Sequence, residues 1–394
     1  MFKKLGPGVL VAAAFIGPGT VTACTLAGVD FGFNLLWAML LSIIATFILQ
    51  EMSARLGIVT QKGLADVIKQ ELHNPIIRNS VIALIFSAII IGNASYEAGN
   101  IGGATLGMEA LFGTNYSSLY PFVLGGLAFV LLHLGSYKAL EKVFIVLVLI
   151  MSLSFVMTAI LTKPNMWELL KGLLVPSVPK NGILTIIALV GTTVVPYNLF
   201  LHAALVSEKW KSKDDLNLAK RDTMVSIILG GLVSISIIIS AAAINSLEVN
   251  NVMGMAKALE PLYGSAALYF LGIGMFAAGI TSSITAPLAA AYVANSCFGW
   301  NAGLKDFKFR MIWMVILFLG VSFGIKPIEI IKFAQITNGL LLPIIAVFLL
   351  WVVNRVGVMG KYKNTWSQNV FGLLIILLSV VLGAKSILTV IGIM

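Results

Sequence analysis

The chain alternates long apolar runs with short polar stretches. Eleven apolar runs lie near residues 6–28, 31–54, 79–106, 119–135, 141–162, 183–207, 223–245, 264–296, 311–325, 328–353 and 368–391. Most reach the roughly 20 residues that a helix needs to cross the hydrocarbon core of a bilayer. The shortest, 311–325, and the longest, 264–296, have the least defined limits. The pattern predicts an all-α polytopic membrane protein with eleven transmembrane helices and a single domain over residues 1–394.

Two of the runs carry a break. The first reads Phe15-Ile16-Gly17-Pro18-Gly19-Thr20-Val21, and the second reads Gly191-Thr192-Thr193-Val194-Val195-Pro196-Tyr197-Asn198. Lipid tolerates non-helical backbone only where it is buried in protein or lines a cavity. The first ten runs divide five and five, into repeats of about 6–162 and 183–353 with an extra helix near 368–391, and the breaks open each half. An odd number of spans per half inverts the second half against the first. This is the arrangement of transporters with inverted repeats, whose broken helices 1 and 6 hold the substrate near the midplane.

Charge sets the orientation. Nineteen of the 26 Lys and Arg fall on the side that holds the N-terminus, and seven on the other. The positive-inside rule then predicts a cytoplasmic N-terminus, an outside C-terminus and residence in the plasma (inner) membrane of a prokaryote. Hydrophobic residues make up 59% of the chain and charged ones 11%, against about 25% charged in soluble domains. The net charge of +10 is spread between spans, so it points to membrane topology and not to nucleic acid. Lys3, Lys4 and the apolar run behind them resemble a signal peptide, but Gly17-Pro18-Gly19 interrupts the run and further spans follow, so residues 1–28 are expected to be a retained first span. Cys24 and Cys297 lack metal-ligand spacing and are expected to be buried thiols.

Several segments then resemble the Nramp family of proton-coupled divalent metal transporters, over nearly the whole chain. They are Phe31-Gly32-Phe33-Asn34-Leu35-Leu36-Trp37, Ser53-Ala54-Arg55-Leu56-Gly57-Ile58-Val59-Thr60, Leu140-Glu141-Lys142-Val143, Asn198-Leu199-Phe200-Leu201-His202-Ala203-Ala204-Leu205 and Ala278-Gly279-Ile280-Thr281-Ser282-Ser283. The resemblance implies a five-plus-five fold and secondary active uptake of a divalent cation of the Mn, Fe or Mg type, with a proton as the coupling ion and no other cofactor. Its ligand positions are altered. The family's Asp-Pro-Gly-Asn is here Gly17-Pro18-Gly19-Thr20, and its Ala and Met-Pro-His are Thr192 and Val195-Pro196-Tyr197. The backbone break is kept, while the Asp, Asn and Met side chains are replaced by Gly17, Thr20 and Val195, so no standard metal ligand set is retained.

The predicted substrate site comprises Gly17, Thr20, Thr192, Val195, Tyr197 and Asn198, with Gln335 and Asn338 from the tenth run. Pro18, Gly19 and Pro196 make the breaks. These are neutral ligands, poorly suited to tight transition-metal binding. Loss of the aspartate also removes a negative charge and is expected to free volume, which suits a small organic solute such as an amino acid. Its carboxylate would meet the half-helix N-termini. Glu97 and His202 are the expected proton pathway, an intramembrane acid being functional by default. Arg221-Asp222 is expected to be a solvated loop pair. Glycines 99, 102, 103 and 107 are expected to let helices approach closely. Enzyme motifs such as Gly-x-Ser-x-Gly or His-Glu-x-x-His are absent, so the chain is expected not to be an enzyme. Its partners are then the lipid bilayer and a small transported solute or cation, with no nucleic acid and no obligate protein partner. A transport-dead sensor or scaffold is the remaining class.

Overall fold

The computed structural model of the chain describes residues 6–244, 254, 265–323 and 341–390. Gln335 and Asn338 lie outside the described residues. Among those described, the regular elements are helices. The chain begins with α1 (Pro7–Phe15), α2 (Pro18–Phe31), α3 (Leu36–Thr60), α4 (Leu64–Glu71), α5 (Pro75–Phe112), α6 (Tyr120–Leu134) and α7 (Tyr137–Leu161). The short α8 (Met166–Leu174) precedes α9 (Ile183–Thr193), α10 (Pro196–Lys209) and α11 (Leu216–Ala242). Then follow α12 (Ser265–Phe298), α13 (Phe307–Phe323), α14 (Leu341–Val353), α15 (Val356–Met359) and α16 (Trp366–Val390).

Both expected breaks are present, and both have the same cause. Pro18 starts α2 and Pro196 starts α10, each at the first helical position, where a missing N–H costs nothing. The residue before each proline is extended, Gly17 at φ −95° and Val195 at φ −85°, as the proline ring requires. The first break turns the chain by 52°.

The broken helices form the centre of the bundle. Every residue of α1 is buried, as is α10 from Pro196 to Val206. Around them pack α3, α5, α7, α11 and α12, with α12 running along much of α5. Two glycines of α5 allow close approach, Gly107 to α12 and Gly103 to the start of α2. A Cβ on Gly107 would lie 2.5 Å from the Phe276 nitrogen, and one on Gly103 would lie 2.1 Å from Pro18 Cβ. Small residues let helices approach where no hydrophobic drive separates lipid from core. α6 and α16 turn many large apolar side chains outward, as lipid contact requires.

The expected eleven spans are met only in part. Six described helices are long and apolar enough to cross unbroken, and eight if each of two bent pairs is one span. Tyr120–Leu134 and the stretch Trp366–Val381 are apolar but shorter. Residues 311–323 of the run at 311–325 lie in a 17-residue helix, Phe307–Phe323, that begins among Lys308 and Arg310. The second bent pair, Leu341–Val353 with Val356–Tyr362, turns by 66°.

Candidate functional site

The two breaks face each other and are joined by hydroxyls. Thr20 Oγ1 donates back to the Phe15 carbonyl across the first break. The same oxygen lies 2.8 Å from Thr192 Oγ1 and 3.4 Å from the Thr192 carbonyl, at the second break. The Tyr197 hydroxyl donates to the Ala14 carbonyl at 3.2 Å, a second link between α10 and α1. Thr193 turns elsewhere, donating to Leu189 O at 2.7 Å and lying 3.7 Å from Met39 Sδ. Val195 contributes an extended backbone and an apolar side chain that is buried.

Asn198 sits in the first turn of α10 with 1% of its surface exposed. Neither amide atom has a hydrogen-bond partner. A buried amide normally finds one, and leaving it without costs about 1–3 kcal/mol.

At the first break the space beside Gly17 is already filled. A Cβ added there would lie 2.6 Å from Ser282 Oγ, 3.3 Å from Ser282 Cβ and 3.5 Å from Asn100 Oδ1. The expected gain in volume is therefore absent, because α12 brings a serine hydroxyl to where a longer residue 17 would begin. Ser282 Oγ also lies 3.4 Å from the Ala13 carbonyl. Ser282 and Asn100 belong to the wall of the site, and sequence reasoning did not assign them to it. The available signal was a pair of serines, Ser282-Ser283, in the middle of an apolar run.

Glu97 lies on α5, fully buried. Its Oε2 accepts from Asn100 Nδ2 at 3.3 Å, while Oε1 has no partner. Asn100 thus connects the carboxylate to the first break. The ring of Tyr96 stands edge-on to that of Tyr197 with centroids 5.9 Å apart, so α5 also meets the second break. His202 stands apart from this group. Its Nδ1 is 3.0 Å from Gln50 Oε1 and its Nε2 is 3.5 Å from Thr223 Oγ1, so both ring nitrogens face polar neighbours on α3 and α11. Among the described residues no group of three His, Cys, Asp or Glu is placed to hold a metal ion. Cys24 and Cys297 are free and buried.

At the end of the bundle that carries the N-terminus of α1, the expectation of a solvated Arg221-Asp222 pair fails. Asp222 is buried and accepts from the backbone N–H of Gly6 at 2.7 Å and of Gly8 at 2.8 Å. These N–H groups stand at the start of α1, where no carbonyl of the helix can reach them. Lys209 reaches the same region and pairs with Glu141 at 2.5 Å. Four elements, α1, α7, α10 and α11, are tied there. The contact spans more than 200 positions in sequence, which is why local reading missed it.

Residues 8–389 match the family model described as natural resistance-associated macrophage protein-like (Nramp). A divalent metal cation transporter, MntH, of Erwinia tasmaniensis is 28% identical over 97% of this chain and 93% of that protein. The crystal structure of a manganese transporter from Eremococcus coleocola superposes with a TM-score of 0.83 at 21% identity, covering 99% of this chain and 88% of that one. A nucleobase-cation-symport-1 family transporter, MHP1, superposes with a TM-score of 0.59 at 14% identity, covering 98% and 93%.

Proposed function

The chain belongs to the Nramp-like family, and from that premise we propose that it is a secondary transporter carrying a hard divalent cation of the Mg type, held with part of its water between the two breaks. The observation that carries this reading is the Thr20–Thr192 hydroxyl pair at 2.8 Å, with the partnerless Asn198 amide beside the second break. Every group offered there is a neutral oxygen or an amide. Such donors suit Mg²⁺, Ca²⁺ or Mn²⁺, while soft metals select thioether, thiolate or imidazole. Mg²⁺ dehydrates reluctantly and keeps several waters, so it tolerates a site with few direct protein ligands. Val195 supplies no sulfur and Gly17 no carboxylate, which weighs against tight binding of Mn²⁺ or Fe²⁺.

The architecture that goes with this reading is eleven spans in a five-plus-five inverted repeat, with the N-terminus cytoplasmic. The coupling ion, a proton, is assigned to Glu97, because its Oε1 lacks a partner and Asn100 links it to the first break. His202, held between Gln50 and Thr223, is then a packing residue on the path. A second reading, a small organic anion or amino acid, rests on the two half-helix N-termini at Pro18 and Pro196, whose dipoles favour a carboxylate.

Proteoliposomes decide between them. The cation reading expects saturable Mg²⁺ uptake at millimolar concentration that falls in Thr20→Val and Thr192→Val. Mn²⁺ uptake saturating at micromolar concentration, or uptake of labelled amino acids without any divalent flux, overturns it.

A further inference from the structure

Glu97 stands in a setting with more than one unfilled oxygen. On α12, Ser283 is fully buried and its hydroxyl has no hydrogen-bond partner. The α5–α12 contact fixes where that hydroxyl sits. Asn93 Nδ2 donates to the Ala286 carbonyl at 2.8 Å on one side, and Ala104 packs against Gly279 on the other. The helices run antiparallel, so these two contacts bracket Glu97 opposite Ser283. The back of the carboxylate is closed by α13, where a Cβ on Gly320 would lie 2.2 Å from Glu97 Cγ. Asn100, bonded to Oε2, presents its Oδ1 toward Gly17. Two oxygens without a hydrogen-bond partner, Glu97 Oε1 and Ser283 Oγ, therefore lie across one buried helix interface, walled by a third helix.

We propose that Glu97 and Ser283 form a binding site for a dehydrated singly charged cation, separate from the hydroxyl pair at the breaks. The charge count selects the class. One carboxylate is the only anion at this interface among the described residues, and the remaining groups are a hydroxyl and an amide. A buried site is stable when its charges cancel. A monovalent cation brings this site to zero, whereas a divalent one leaves a net positive charge in a buried interior. The ligands are hard oxygens, as an alkali cation prefers, and the same geometry accepts a primary ammonium through N–H donation to Oε1 and Oγ. The inference rests on the assignment of Glu97 to the coupling ion. It makes the coupling site one where an alkali cation and a proton compete for a single carboxylate.

The test is thermal unfolding of the purified full chain in detergent at fixed ionic strength, exchanging choline chloride for NaCl, KCl or methylammonium chloride. The expected result is a saturable rise in Tm with one of these small cations and none with choline. NaCl or KCl activity identifies an alkali ion, and activity of methylammonium alone identifies an ammonium head. Glu97→Gln should weaken the apparent affinity about 10- to 100-fold, the equivalent of a charge-assisted contact. Ser283→Ala, a milder change that keeps the helix, should weaken it several-fold. Raising the pH should tighten binding in the parent chain and not in Glu97→Gln. A Tm independent of all three cations, or a rise unchanged in both variants, overturns the proposal. Mg²⁺ uptake measured on the same preparations keeps the two readings apart. Loss of divalent flux with the monovalent effect intact would count against the substrate assignment alone.

Discussion

Placing a single methyl group at Gly17 tests how tightly the first break is packed. In Gly17→Ala the new Cβ would start 2.6 Å from Ser282 Oγ and 3.3 Å from Ser282 Cβ. The hydroxyl can rotate away, but rotation gives up its approach to the Ala13 carbonyl at 3.4 Å, and the Cβ contact stays tight. Overpacking of this kind costs about 1–3 kcal/mol. Ser282→Ala alone removes one weak hydrogen bond, worth about 0.5–1 kcal/mol. In the double variant the 2.6 Å clash is gone and only the 3.3 Å contact is left to relax. The two changes should therefore be non-additive, with a coupling of about 1–2 kcal/mol that makes the double variant more stable than Gly17→Ala. Equilibrium unfolding in mixed micelles, run as a four-member cycle, measures this directly. Strict additivity, or a Gly17→Ala variant within about 0.5 kcal/mol of the parent, would refute the claim that Ser282 occupies the space beside residue 17.

Other consequences can be checked the same way. Thr20→Val and Thr192→Val each leave the opposite hydroxyl short of its partner 2.8 Å away, so each should lower Mg²⁺ uptake and the double variant should be little worse than either. Gly57→Ala puts a Cβ 2.3 Å from the Ala203 carbonyl, where backbone and not a side-chain tip must move, so unfolding should shift by about 2–3 kcal/mol. Asp222→Ala removes the acceptor of two backbone N–H groups, and amide exchange over residues 6–15 should accelerate about 10- to 100-fold. His202→Gln keeps a polar group between Gln50 and Thr223 and should retain most uptake, while a loss of pH-driven accumulation in that variant would make His202 a relay.

The broken helices were legible because their cause is local. Proline at the first helical position and a glycine-rich approach are written in consecutive residues, and the sequence places them in matching halves. The identity of the facing groups at the breaks was also partly legible, since Thr20 and Thr192 stand where matching breaks must meet. The filling of the Gly17 space was not. It depends on Ser282, 265 positions away, and on the rotation of α12 about its axis, which hydropathy leaves undetermined in a helix that is apolar all round. Asp222 was misassigned for a similar reason. Beside Arg221 it has the composition of a solvated loop, yet it lies within α11 and its backbone partners belong to the first helix. The span count is matched only in part among the described residues, because a hydropathy run measures apolar composition and not the length of straight helix.

The clasp of Asp222 on the start of α1 bears on leakage. A carrier without cargo must not let its two gates open together, since any open path dissipates the gradient that drives it. Here the lower half of the first broken helix is held by two backbone bonds to a carboxylate on α11, with Lys209 and Glu141 bonded alongside. Swinging α1 outward requires both Asp222 bonds to part, and neither touches the hydroxyl pair at the breaks. The start of α1 is thus held by groups that lie apart from the Thr20–Thr192 pair, so any coupling between the two must pass along the first broken helix, from Thr20 and the Phe15 carbonyl to Gly6.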